Sequence, residues 1–346
     1  MKYLVVLILI AIAQTLCAKS WRINNNPEIQ ADFRTLADAH ISAGSGDTIY
    51  LEPSLKCYDG FTCTKKLILI GAGYFLAENS PTQSTPLNSV VCGDITFNPG
   101  SEGSEMMGIS MWNNTVNIKV SHLQIKRNLI RNISLPRQAG KRLNNLFITQ
   151  NYLYSVYGGY EWGGTDFFVD DLIFSNNIVV KEMYFYYNRF NDDCPCYLQA
   201  LNGQITNNVF LGDFSLESCQ IKNNIFFKTA LDINFLKHSE YNMLEENIFA
   251  KVLPWSDTIN YKIPVGNIDN VNMTNLFVGG ASPDAKWQIK STSTLPIKDK
   301  CGVFEGLTPY VLSGIPDIPS IYYLNVPFTG KKTNGLNVTI KAKSNQ

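Results

Sequence analysis

Seven eight-residue segments decide the fold: LQIKRNLI at 123–130, LFITQNYL at 146–153, LIFSNNIV at 172–179, MYFYYNRF at 183–190, GQITNNVF at 203–210, CQIKNNIF at 219–226 and NMLEENIF at 242–249. Each follows, with small departures, the pattern apolar-x-apolar-x-x-Asn-x-apolar. Alternation before the asparagine has the period of a strand with one buried face. Asparagine tolerates the left-handed backbone of a tight corner, and its amide can bond the amide of the next copy. The apolar residue in the eighth place then returns to the interior on a second short strand. The asparagines lie at 128, 151, 177, 188, 208, 224 and 247, steps that average about 20 residues. That length suffices for three short strands but not for a strand plus a return helix. The spacing therefore predicts an all-β, right-handed parallel β-helix with coils of about 21 residues. Asn128, Asn151, Asn177, Asn208, Asn224 and Asn247 are expected to stack as a ladder. Asn188 follows Asn177 after only 11 residues, so its copy is expected on a different strand of its coil.

A leucine-rich repeat also spaces asparagines periodically, but the extended LxxLxL lead is missing, and an antiparallel sandwich does not explain the asparagine column. Outside the repeat, residues 1–18 combine a lysine with a short apolar run and are expected to be a signal peptide; a lipid anchor at Cys17 is the alternative. Residues 19–282 would form an amino-terminal cap and the β-helix. From Pro283 the asparagines stop and prolines punctuate the chain, so 283–346 is expected to be an extended carboxy-terminal cap that blunts the end of the stack, with a last strand at 335–341. Helical spacing over 32–43, ended by Gly44-Ser45-Gly46-Asp47, precedes the expected first strand at 48–51.

The segment FRTLADAHISAGSGDTIYL at 33–51 resembles the amino-terminal cap and first coil of pectin-lyase-like β-helix proteins, where an amphipathic helix closes the core. With WRINNNPEIQADF at 21–33, LILIGAGYFLAEN at 67–79 and GLNVTIKAKSN at 335–345, the chain is similar to exported β-helix proteins of Bacteroidota-type bacteria. The resemblance covers nearly all of the chain after residue 18, but as fold and caps. It implies acidic polysaccharides as the substrate class, cleaved either by lyases that hold Ca²⁺ on carboxylates beside a basic proton acceptor or by hydrolases with clustered aspartates. The clustered Asn-Thr-Asp, Gly-Asp-Asp, Gly-His-Gly and Arg-Ile-Lys motifs of polygalacturonase-type enzymes are absent.

Either chemistry needs carboxylates from successive coils in one outward patch. The two outward columns of the repeat are expected to be Gln124, Phe147, Ile173, Tyr184, Gln204, Gln220, Met243 and Lys126, Thr149, Ser175, Tyr186, Thr206, Lys222, Glu245. Neither stacks carboxylates. Between Met106 and Tyr160 there are seven basic residues and no acid, whereas 161–193 holds Glu161, Asp166, Asp170, Asp171, Glu182, Asp192 and Asp193. Asp170, Asp171, Asp192, Asp193 and Arg189 are thus the catalytic candidates, with local turn bonding as their ordinary alternative. Residues 147–197 carry 15 aromatics in 51 positions. Tyr157, Tyr160, Trp162, Tyr184 and Tyr186 are the ligand-binding candidates, because exposed rings stack on sugars.

Charge is balanced at 29 basic and 29 acidic residues, with 17% charged and 45% hydrophobic. A nucleic-acid partner would call for a basic surface, and none is expected. No cysteine and histidine spacing suggests a metal centre, and Ca²⁺ enters only with a lyase. Export permits disulfides, and Cys57 and Cys63, which bracket a turn-like loop, are the expected pair. The preferred reading is an exported, non-catalytic β-helix in the periplasm, at the cell surface or outside the cell, with no membrane span, binding a polysaccharide or another surface component. A polysaccharide lyase and a structural or adhesive surface protein are the alternatives.

Overall fold

The computed structural model describes residues 18–136, 141–158, 167–185, 198–228, 243–252, 262–280, 282–330, 333 and 335–345. The chain forms two long parallel sheets wound into a β-helix. One has eleven strands, running from Ser20–Ile23 and Thr48–Leu51 through Gln124–Lys126 and Leu143–Thr149 to Lys262–Val265; the other has ten, from Phe61–Cys63 to Ile248–Phe249. The eight-residue unit is a strand of the first sheet, a corner and a strand of the second. Gln124, Phe147, Ile173, Gln204, Gln220 and Met243 align in one column, and Lys126, Thr149, Ser175, Thr206, Lys222 and Glu245 in another. Ile125, Ile148, Phe174, Ile205, Ile221 and Leu244 lie between them and are buried. MYFYYNRF departs as expected, since its Met183 to Phe185 belong to the second-sheet strand Ile178–Phe185. Tyr184 therefore leaves the first-sheet column; Tyr186 and Asn188 lie outside the described residues.

The ladder is continuous. The backbone N–H of Asn128 donates to Oδ1 of Asn151 at 2.9 Å, that of Asn151 to Asn177, of Asn177 to Asn208, of Asn208 to Asn224 and of Asn224 to Asn247. Each Nδ2 donates back to a strand carbonyl of the preceding coil, as Asn177 does to Ile148 at 2.8 Å. The series begins at the N–H of Ile109 and ends on Asn267, a rung the repeat does not reveal. Its steps span 23, 26, 31, 16, 23 and 20 residues, a mean of about 23, so the coils are longer and less uniform than the expected 21 residues. The corner is invariant because its polar groups are buried and paired. The number of residues between a second-sheet strand and the next first-sheet strand varies from coil to coil.

The left-handed residue is not the ladder asparagine but its predecessor. Arg127, Gln150, Asn176, Asn207, Asn223 and Glu246 have φ between 52° and 58°. A second left-handed position lies five residues earlier, at His122, Asn145, Asp171 and Asn202, the last three inside the long first-sheet strands Leu143–Thr149, Phe167–Ser175 and Leu198–Thr206.

The amino-terminal end starts earlier than the spacing of 32–51 suggests, because Ser20–Ile23 pairs with Thr48–Leu51 as the first strand. Helix α1, Leu36–Ser42, is capped by Thr35, whose side chain accepts from the Asp38 N–H, and it inserts Leu36 and Ala39 into the core beside Ile23 and Ile49. The expected Cys57–Cys63 bridge is replaced by Cys57–Cys92. Tyr58 and Cys92 lie on adjacent coils, where the Cys92 N–H donates to the Tyr58 carbonyl and the Tyr58 N–H to that of Val90, each at 2.8 Å. Cys63 instead points inward at the end of its strand, paired in register with Phe97 and fully buried.

A second apolar cluster lies outside the wound coils. The residue after each ladder asparagine, Leu129, Tyr152, Ile178, Val209, Ile225 or Ile248, packs under Met273, Phe277, Ile297, Val303 and Tyr310. Residues 297–315 thus form a strap laid lengthwise on the corner rather than across the end of the stack. The left-handed residues fasten it: Glu246 pairs with Lys300, Asn207 Nδ2 donates to the Lys300 carbonyl, Asn176 to those of Val303 and Glu305, Gln150 to that of Pro309 and Arg127 to that of Ile315. The chain therefore retraces the stack from late coils to early ones. Buried Asp284 locks it, accepting from Asn79 Nδ2 at 2.7 Å and the Ser313 N–H at 2.8 Å beside the Tyr74–Tyr310 hydroxyl pair.

Candidate functional site: an aromatic and cationic shoulder on the second sheet

Just past the corner, the second sheet breaks its register at one place in successive coils. Residues between Met111 and Thr115 bulge opposite Arg131, which faces Tyr154, and Tyr154 in turn faces the bulge between Val179 and Glu182. Bulges re-aim side chains out of a ladder. Here they bring Trp112, Arg131, Tyr154 and Lys181 together on the outer surface. The Trp112 and Tyr154 rings meet edge to face with centroids 5.7 Å apart. Arg131 Cζ sits 4.4 Å from the Tyr154 centroid and Lys181 Nζ 5.9 Å from it. Tyr152 backs Trp112 and is itself held edge to face by Phe75, at 6.1 and 5.3 Å, so the cluster rests on the strap-covered core.

Beside this shoulder runs an outward column of hydroxyls and amides. Thr62, Thr96, Asn117, Ser134 and Tyr157 align in register, continued by the backbone of Tyr184 and Ser215. Asn117 Nδ2 reaches Thr96 Oγ1 at 3.4 Å. The flanking column contributes Asn132, Ser155 and Glu182, the last approached by Lys181 at 3.3 Å and by Ser155 at 3.4 Å. The surface thus offers ring edges, two cations and a row of hydrogen-bonding groups spaced by the coil repeat of about 4.8 Å.

Of the aromatic candidates, Tyr157 is exposed on this sheet. The Tyr184 backbone pairs with Tyr157, which places it on the same sheet. Tyr160, Trp162 and Tyr186 lie outside the described residues, as do Arg189, Asp192 and Asp193. Asp170 and Asp171 lie on the first sheet. Asp170 takes a two-pronged bond from Arg142, 2.7 Å at each oxygen, which holds the arginine's pKa above its ordinary value, and Asp171 is a left-handed corner residue. The Asp170 carboxylate is therefore occupied by its ion pair, and Asp171 is exposed at the corner. Trp112, Arg131 and Lys181 are not foreshadowed by the repeat, because a register break moves residues out of the alternation that reveals the columns. The run YLYSVY at 152–157 carries the one trace of the site, an aromatic at an unexpected parity.

Among the described residues no three His, Cys, Asp or Glu side chains converge as metal ligands, and no helix is long and apolar enough to cross a membrane. Comparison with protein-family models, curated proteins and solved structures finds no match.

Proposed function

We propose that the protein is an exported, non-catalytic β-helix that binds an anionic polysaccharide along its second sheet. The observation that carries this reading is the shoulder of Trp112 and Tyr154 flanked by Arg131 and Lys181. Aromatic rings pack on the apolar faces of sugar rings, while arginine and lysine attract uronate or sulfate groups. The row from Thr62 to Tyr157 extends the contact in the direction of coil stacking, which suits a linear polymer better than a compact ligand. The Cys57–Cys92 bridge supports passage through an oxidising compartment, and the apolar run at the amino terminus supports export. The likeness to pectin-lyase-like proteins favours an acidic glycan, and the engagement of Asp170 by Arg142 favours binding over cleavage.

Titration calorimetry with polyuronates and with neutral glucans tests the proposal. Binding is expected for the polyuronate and to weaken at least tenfold, about 1.4 kcal/mol, in Trp112→Ala and in Arg131→Ala. Unchanged affinity in both variants would remove the site. Following the same mixtures for ultraviolet absorbance of an unsaturated product tests the lyase alternative, whose appearance would overturn the non-catalytic reading.

A further inference from the structure

After the strap the chain forms an antiparallel hairpin of Ser320–Asn325 and Thr339–Lys343, which among the described residues is a sheet of two strands. Cross-strand partners share a face. Ile321 pairs with Ala342 and Leu324 with Ile340 on one face, while Tyr323 pairs with Lys341 and Asn325 with Thr339 on the other. The apolar face is uncovered: Leu324 and Ile340 are 49% and 57% exposed, and Phe328 towards the turn is fully exposed. Val326 and Leu336 are exposed beside it. A two-stranded hairpin has little stability alone. This one is held at its root. Asp317 pairs with Lys126 and Arg127 at the corner, Asn345 Nδ2 bonds the Ile318 carbonyl at 2.8 Å and Ser320 Oγ at 2.9 Å, and the Ser84 N–H donates to the Ile321 carbonyl at 2.8 Å. A fixed base with a bare apolar tip is the geometry of a docking element, not of a fraying terminus.

Charge selects the occupant. Beyond Asp317 the chain contains no acidic residue and four lysines, at 331, 332, 341 and 343. Lys341 and Lys343 lie 5.2 and 5.8 Å from the Tyr323 and Tyr322 rings, leaving cations beside aromatic side chains of the hairpin. A second copy would set Lys341 and Lys343 against their own counterparts, which opposes self-association. We propose that the hairpin docks on an anionic phospholipid surface, with its apolar face and Phe328 in the headgroup and acyl boundary and its lysines among the phosphates. Amphipathic, basic elements with large apolar side chains bind there by those two contributions together.

The test is flotation of the full chain with vesicles of phosphatidylcholine alone or with added phosphatidylglycerol. Recovery is expected to be at least about tenfold higher with the anionic lipid and to fall at least about tenfold in Leu324→Ser/Phe328→Ser and in Lys341→Glu/Lys343→Glu. All four positions are on the surface, so thermal melting should not change. Every protein in the comparison carries the apolar amino-terminal run, so differences between them report on the hairpin. Equal recovery on both lipids, or variants that float like the parent, would overturn the proposal. So would a concentration-dependent dimer in sedimentation velocity that Leu324→Ser/Phe328→Ser abolishes while vesicles are ignored. Neither result bears on polyuronate binding, which uses another sheet.

Discussion

One ladder amide serves several backbone groups at once. Asn177 accepts the Asn151 N–H and donates to the Ile148 carbonyl, in a place fully closed to water. Asn177→Ala would leave both groups without partners, and the loss expected in denaturant unfolding is about 3 kcal/mol. The terminal rung Asn267 is only half-buried, so Asn267→Ala should cost about 1 kcal/mol. A different economy operates at Asp47. Burial acts to raise its pKa, but hydrogen bonds from the Lys19 N–H, Trp21 Nε1 and the Gly44 N–H, with the Lys19 charge, outweigh it and hold the carboxyl below its ordinary range. A carboxyl depressed on folding adds stability that is present above its unfolded pKa and is lost as the pH falls through the folded one. Melting temperature should therefore drop across the acidic carboxylate range, and Asp47→Asn should flatten that slope while lowering the neutral-pH value.

At the scale of elements, the two-strand unit was readable because a period of two and a repeated asparagine report the same buried face. The columns headed by Gln124 and Lys126 align in register for that reason. What escaped was information held between elements. Asn267 is disguised by Pro264 and Gly266, which remove the apolar alternation before it. The residue after each ladder asparagine is apolar in six copies, yet the side it faces depends on the strap, whose irregular backbone has no period. Cys63 brackets a turn with Cys57, but strand parity turns it into the core. The shoulder of Trp112 and Tyr154 was hidden by the bulges that create it.

At the scale of the molecule, the strap serves as half of a second core. Ending the chain before Pro283 would keep Met273 and Phe277 but remove Ile297, Val303 and Tyr310 from the stripe of Leu129, Tyr152, Ile178, Val209, Ile225 and Ile248, baring much of it together with unpaired polar groups at the corner. Light scattering of that truncation should show aggregation at temperatures where the full chain stays clear, because an apolar stripe of this extent is an association surface.

The reversed course of the strap also fixes how the protein answers to force. Lys300 is fastened at the coil of Glu246 and Ile315 at that of Arg127, so tension entering from the carboxy terminus arrives at the Arg127 end. The fastenings along the corner then carry the load one after another instead of sharing it, as adhesive tape lifts from one edge. Pulled between its two termini, the protein should surrender the strap in small successive steps and keep the wound coils, with their ladder, for a later and larger rupture.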